Sequence, residues 1–464
     1  MADRKTTTQK GMKVLSEHAD GKPTAPGYTV AFQPSGRRGV AAPEKDLLSV
    51  ARDLGVEIES VCGGKGTCGK CRVHIESAAG TASAPTAVES RILGPEAITA
   101  GMRLACQTQA LGDVRVFVPE ESRRTAPVVR KEAGDRSGPL DPAVKSYRVV
   151  LEPPTLEDPL ADAERLLSAL ERQHGRAGLG FDLEVLQTLP GIARDADWDL
   201  TVLVWRDESV MDVRTGPGRH RLLGLALDVG TTTIAAYLTD LVSGEVLATE
   251  SAMNPQVAFG DDVIARLYYV AHQPEGQARL QQAVAAEIDG LAKKAVERVG
   301  AALTDILDVV MVGNTAMHHL FLGLDTRSLG VAPFAPASQG AIDARASAVG
   351  LSFHPGCRLH VLPVEAGFVG ADNVGVLIAE EPYNQDEVLL IIDIGTNGEL
   401  VLGNRHRLLS ASCATGPAFE GSHIEFGMRA APGAIERIRI EPGTLDVRFK
   451  VIGLEGWQTD YPAG

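Results

Sequence analysis

The sequence predicts a multidomain chain that joins α+β and α/β units, and three observations carry that prediction. Four of the six cysteines fall inside one strand-bounded unit, three of them within ten residues. A charged, Pro- and Gly-containing stretch without apolar periodicity, 120–145, then separates that unit from the rest. Finally, a pattern of apolar strand, Asp-x-Gly-Thr and second strand opens at Leu222 and recurs near 388, which reads as an internal repeat.

Taken in order, residues 1–27 are rich in Lys, Thr and Gly, lack periodicity, and read as a disordered leader. In 28–119, Tyr28 to Phe32 alternates as a strand, with a hairpin turn expected at Arg37-Arg38-Gly39. Leu47, Leu48, Val50, Ala51 and Leu54 outline a short helix that Gly55 ends, and Val114 to Val118 is a closing strand. After the linker 120–145 comes a small α+β unit, 146–218. It has strands at Tyr147–Leu151, Leu183–Leu186 and Leu200–Trp205, and a helix over Leu160–Leu170. The remainder, 219–464, starts with LLGLALDVGTTTIAAYL. It continues through a long helix over Gln277–Val299, a buried strand at Val309–Val312, a helix from Thr315, and the second copy VLLIIDIGTNGELVL.

The 464 residues carry a formal charge of −15, and the acidity belongs to 146–464, where 24 Lys and Arg face 43 Asp and Glu. Clustered bases are what phosphate-backbone binding requires, so nucleic acid is not an expected partner. No stretch of about 18 apolar residues is present, so no membrane span is expected. The N-terminus lacks the apolar core of a signal peptide. Six cysteines in so long a chain do not suggest a disulfide scaffold, and a reducing, cytoplasmic location is expected.

Cys62, Cys68, Cys71 and Cys106 follow C-x5-C-x2-C-x34-C, the first three in CGGKGTCGKC. Iron–sulfur clusters need four thiolates converging from a loop whose amides can face the sulfides. Gly63, Gly64, Gly66 and Gly69 permit that loop. A structural zinc site would instead pair two short C-x2-C hairpins. The spacing therefore points to a [2Fe-2S] cluster, and the first gap resembles that of adrenodoxin-type ferredoxins. Cys357 and Cys413 read as small buried residues.

Asp228-Val229-Gly230-Thr231-Thr232-Thr233 and Asp393-Ile394-Gly395-Thr396-Asn397-Gly398 each follow an apolar strand. The Gly allows a tight turn whose N–H groups face an anion, and the Thr hydroxyls add donors. Asp228 and Asp393 can hold Mg²⁺ through water or orient an attacking water. One such loop alone is as easily a plain strand-to-turn junction. Two of them, facing each other, would clasp the β- and γ-phosphates of a nucleotide.

Three further segments stand out. NPQVAFGDDV, 254–263, is a polar loop entering a helix, with Asp261 or Asp262 suited to its N-terminus. His318 and His319 are adjacent, and adjacent positions on a helix face different ways, so packing is expected of them rather than shared metal binding. AGFVGADNVGVLIA, 366–379, is helical and small enough to pack closely under a cleft. ATGPAFEG, 414–421, reads as a cleft-lining loop, and it is followed by further Gly-rich sequence to Gly433.

CGGKGTCGKC with Cys106, LDVGTTTIAAYL, NPQVAFGDDVIARL, MVGNTAMHHLFLG, IIDIGTNGELVL and ATGPAFEGSHIEFGMRAAPGAIERI together resemble one family, the reductive activators of corrinoid proteins. The resemblance covers 28–464. It implies an N-terminal β-grasp [2Fe-2S] ferredoxin domain and a ribonuclease-H-like region of the actin, sugar-kinase and heat-shock-protein-70 superfamily (ASKHA). ATP and Mg are implied in that region's cleft. The implied activity is ATP-dependent reduction of the Co(II) corrinoid of a methyltransferase-type protein back to Co(I), fed by an upstream low-potential reductant. The resemblance also implies a longer second half than the 66 residues after Gly398, so the second lobe is expected to be incomplete or cut. A ferredoxin-type electron carrier whose C-terminal region only docks a partner, and an ATP-dependent kinase or sensor with a redox switch, remain open. Oligomeric state, a homodimer included, is not fixed by the residues.

Overall fold

The computed structural model describes residues 27–56, 58–60, 62, 64–119, 122, 139–218, 220–395, 397–413 and 432–459. The expected leader (apart from Gly27), most of the expected linker, Gly63, Thr396, the loop from Ala414 and the last five residues lie outside the described residues. The chain divides into two compact units, 1–56 with 72–120, and 57–71 with 121–464.

In the first unit, β1 (Tyr28–Gln33), β2 (Arg38–Ala41), β3 (Arg72–Ile75), β4 (Met102–Leu104) and β5 (Val114–Phe117) form one sheet, ordered β2-β1-β5-β3-β4. β1 and β5 are parallel and the other pairs antiparallel, the mixed sheet of a β-grasp domain. Val30, Phe32, Val73, Val114 and Val116 alternate onto its buried face. The helix α1 (Leu47–Asp53) buries Leu47, Leu48, Val50 and Ala51, and Asp46 caps it by accepting from the Ser49 N–H at 2.9 Å. α2 (Ala87–Thr99) starts on a Thr86/Glu89 capping box and breaks at Gly94, whose φ is 77°. The β1–β2 turn falls earlier than expected. Arg38 and Gly39 already pair with Ala31 and Val30, and Gly36 (φ 70°) makes the reversal.

The second unit begins with β6 (Val144–Val150), α3 (Asp162–His174), β7 (Gly180–Phe181), α4 (Leu183–Asp195), β8 (Asp199–Trp205) and β9 (Ser209–Thr215), the strands ordered β6-β8-β9-β7. The expected strand at Leu183–Leu186 is wrong; these residues open α4. Val185, Leu189 and Ala193 repeat every four residues and are buried, whereas Leu183 and Leu186 are exposed, so the period is helical. α3 and α4 cover one face of the sheet and close a core of Val149, Leu166, Leu170, Leu189, Leu200 and Val202.

Next come β10 (Leu223–Val229), β11 (Thr233–Asp240), β12 (Val246–Met253), α5 (Val263–His272), α6 (Gly276–Arg298), β13 (Ile306–Val312), α7 (Thr315–Leu322), β14 (Ile342–Arg345) and β15 (Arg358–Val361). Their sheet runs β12-β11-β10-β13-β15-β14, with β10, β13 and β15 mutually parallel. α6 packs on β11 and β12, and Leu280, Val284, Ile288 and Leu291 fill the space at helical spacing. The repeat then restarts after α8 (Ala371–Glu380) as β16 (Leu389–Ile394), β17 (Gly398–Asn404) and β18 (Arg407–Cys413), antiparallel in order, as β10, β11 and β12 are. A two-stranded ribbon, β19 (Ile435–Ile440) and β20 (Val447–Val451), follows.

The α+β part and the β10 sheet are not independent. Val144, Leu203 and Met211 share a small core with Leu222 and Leu307. Asp182 accepts from Arg358 (2.5 Å), Arg206 pairs with Asp343 (2.9 Å), and the Trp205 ring lies against both Arg206 and Arg358. Cys357 is fully buried as expected, but Cys413, expected to be buried, is exposed at the end of β18.

Candidate functional site

Cys62 and Cys68 are half-buried, Cys71 and Cys106 buried, and none of the six cysteines is in a disulfide. The Cys62 loop turns through Gly64, Gly66 and Gly69, all in the left-handed region (φ 102°, 73° and 68°), where a side chain would be strained. The Cys68 thiol donates to Cys62 Sγ at 3.4 Å. That bond, joined by the N–H groups of Cys68, Thr67 and Gly64, outweighs burial and holds the Cys62 thiol well below its ordinary value. Amides converging on a sulfur are the donor set an iron–sulfur cluster requires, and the loop fits the group on that ground.

Cys106 sits on a short 3-10 turn after β4, and a buried carboxylate brackets it. Fully buried Glu89 accepts from Arg103 Nε and Nη2 (both 2.9 Å), the Thr86 N–H (2.8 Å), the Leu104 N–H (3.0 Å) and Thr108 Oγ1 (3.2 Å). Burial pushes this carboxyl up, but the Arg103 guanidinium and the two amides win and hold it below its ordinary value.

In the second unit the two Gly-Thr turns close over different lengths, three residues on from the glycine in the first and two in the second. Gly230 N–H donates to Thr233 O (2.9 Å), and Gly395 N–H donates to Asn397 O (3.0 Å). Asp228 lies near the end of β10 and Asp393 near the end of β16. Between them stands Asp372, at the start of α8, whose N-terminus is tied by Ala371 N–H to Gly313 O at 2.9 Å. Burial is the main force raising the Asp372 carboxyl to about 6. The Asn373 N–H (2.9 Å) opposes it, and the charges of Asp228 and Asp393 add to it. Glu399, on β17, is raised to about 7, first by burial and then by Asp372, against a hydrogen bond from Ser412 Oγ at 3.3 Å. The expected pair of carboxylates is therefore part of a group of four, two from each half of the repeat's surroundings.

Asp372 and Glu399 escaped the sequence reading. Their signal was there: each is the lone acid in an otherwise apolar or small-residue run, GADNVGVLIA and GELVLG. Thr232 and Thr233 are half-exposed, but Thr231 is buried and its hydroxyl accepts from Asn314 Nδ2 at 2.8 Å, so that side chain faces inward. Asp262, not Asp261, caps α5, accepting from the Ala265 N–H at 2.6 Å. The histidine pair packs in the interior. His319 Nδ1–H donates to Thr315 O (2.8 Å), its Nε2 accepts from the Ala337 N–H (2.9 Å), and its Nδ1 lies 3.2 Å from His318 Nδ1. Burial, then the neighbouring His319, lowers His318 to about 4, which keeps it neutral.

A [2Fe-2S] iron–sulfur cluster binding domain model matches 30–111. Models described as the RACo linker region, the RACo middle region and the C-terminal domain of RACo, the ASKHA domain, match 133–220, 223–385 and 387–460. The fold and site thus define a [2Fe-2S] ferredoxin domain joined in one chain to an ASKHA domain. The corrinoid activation enzyme RamQ of Eubacterium limosum is 30% identical over 412 residues, 88% of this chain and 65% of that protein. A Methanosarcina barkeri reductase of the Co(II) methylated amine-specific corrinoid protein is 29% identical over 236 residues, covering 47% of this chain and 41% of that one. A solved structure described as a reductive activator for a corrinoid, iron-sulfur protein superposes with a TM-score of 0.62 at 36% identity, over 92% of this chain and 69% of that chain. The chain belongs to the family of reductive activators of corrinoid proteins. It spans about two-thirds of the length of RamQ. Among the described residues no helix is long and apolar enough to cross a membrane.

Proposed function

We propose that this chain reactivates a corrinoid protein in the cytoplasm, with Cys62, Cys68, Cys71 and Cys106 as the cluster ligands and the two Gly-Thr loops as the Mg-ATP site. The observation that carries the reading is the pairing, in one chain, of an amide-lined cysteine loop with two Gly-Thr turns whose neighbouring aspartates both act on Asp372. When bound, the cluster supplies the single electron that returns Co(II) to Co(I). The chain's own residues do the rest. The amides around Cys62 hold its negative charge. Asp228 and Asp393 are the acids for Mg²⁺ or for the attacking water, and Gly230, Thr231, Thr232, Thr233, Gly395, Thr396 and Asn397 are the phosphate-facing positions. A plant-type potential of about −400 mV makes this donor weak for so reducing a step. Nucleotide contacts that differ between two conformations can supply the missing free energy.

The test mixes the reduced full chain with a Co(II) corrinoid protein, with and without Mg-ATP, and follows the Co(I) spectrum. Reduction that needs Mg-ATP in the parent, and that fails in Asp228→Asn and Asp393→Asn even when Mg-ATP is present, is the expected result. Reduction indifferent to ATP would make the chain a simple electron carrier, and no reduction in either mixture refutes the proposal for this chain.

A further inference from the structure

Arg266 is the largest fully buried side chain among the described residues, and it lies directly behind the first Gly-Thr turn. Its Nη2 donates to Thr231 O, its Nε to Gly260 O at 2.8 Å, and its Nη1 to Gln256 Oε1 at 3.3 Å; Nη1 also lies 3.0 Å from Met317 Sδ. Asn254 belongs to the same segment. Its Nδ2 donates to Gly230 O at 2.8 Å and its backbone N–H to Thr232 O at 2.8 Å. The carbonyls of three consecutive residues, Gly230, Thr231 and Thr232, are thus all held by one segment, 254–266.

Planar trans peptides convert that into a statement about amides. In each peptide unit the N–H points opposite the C=O. With the Gly230 carbonyl held by Asn254 and the Thr231 carbonyl by Arg266, the Thr231 N–H is directed away from Asn254 and the Thr232 N–H away from Arg266, the arrangement an anion-binding turn needs. A guanidinium suits the post because its fork reaches Gly260 O and Thr231 O at once, which a single ammonium does not.

We infer that Arg266 and Asn254 are positioning residues that fix the amides of the Gly230–Thr233 turn toward the phosphates. The inference rests on the nucleotide reading of that turn, and the experiment separates the two. Amide hydrogen exchange is measured on the nucleotide-free full chain for Arg266→Lys and Asn254→Ala, with Mg-ATP affinity by calorimetry on the same samples. Visible cluster absorption and exchange in β6, β8 and β9 report whether each variant is folded. In both variants, exchange in 230–233 is expected to rise at least tenfold while β6, β8 and β9 stay as in the parent, with Mg-ATP affinity falling at least tenfold. Exchange in 230–233 and affinity both within threefold of the parent would overturn the inference. Faster local exchange in the variants of a parent that takes up no Mg-ATP would uphold the positioning role and overturn the nucleotide reading instead. If Arg266→Lys loosens β6, β8 and β9 as much as 230–233, the arginine is a general core residue and the assignment fails.

Discussion

Replacing Asp372 by Asn tests the four-carboxylate group directly. Asp372 has its carboxyl raised from 3.8 to about 6, chiefly by burial and then by the charges of Asp228 and Asp393. One pK unit corresponds to about 1.4 kcal/mol, so the ionised side chain costs the folded state about 3 kcal/mol at neutral pH. The sign follows from linkage. The folded chain holds this proton more tightly than the unfolded chain, so its stabilisation is complete below the unfolded value and is lost as pH rises through about 6. Asn keeps the shape and the acceptor for the Asn373 N–H but has nothing to ionise. The variant is therefore expected to be more stable than the parent, and the gap should widen by about 1.4 kcal/mol between roughly pH 5 and pH 8. For a cooperative unit of about 150–250 residues, that is a Tm gap wider by roughly 3–6 °C. Thermal melts by far-UV circular dichroism across that range give the answer, with cluster absorption reporting the ferredoxin unit separately. A gap that stays constant with pH, or a variant less stable at high pH, would refute the reasoning.

Other substitutions probe the remaining elements. Glu89→Ala strands the Arg103 guanidinium in the interior and is expected to cost about 3–5 kcal/mol, seen as a lower melting temperature in the cluster's visible absorption. Changing any one of Cys62, Cys68, Cys71 or Cys106 to Ser is expected to abolish that absorption, whereas Cys357→Ser leaves iron content per chain unchanged; iron and sulfide analysis decides. Leu189→Ala is expected to cost about 2–5 kcal/mol. Exposed Leu183→Ala should cost less than about 0.5 kcal/mol. Equal costs in denaturant melts would contradict the helical register of α4.

The parts legible in the sequence were those set by short-range chemistry. The short helix α1, the Asp262 cap of α5 and the apolar strands that lead into Asp228 and Asp393 depend on neighbours a few residues away, and the structure has them where the pattern placed them. Leu183–Leu186 was misread because four residues with Leu at both ends fit either period, and only Leu189 and Ala193, one and two turns on, settle it. The β1–β2 turn slipped because Gly36 and Gly39 both qualify, and strand register chose between them.

By itself, the sequence determined which groups this protein has: four thiols at iron–sulfur spacing, and a repeated turn able to face an anion with an aspartate beside it. Only the tertiary structure decided which groups act together. It brought Asp372 and Glu399 to Asp228 and Asp393, turned the Thr231 hydroxyl inward to Asn314, and set Arg266 behind the turn. The reason is that desolvation and charge–charge coupling act through space, between side chains as far apart in the chain as Asp228 and Asp372, where no local pattern records them.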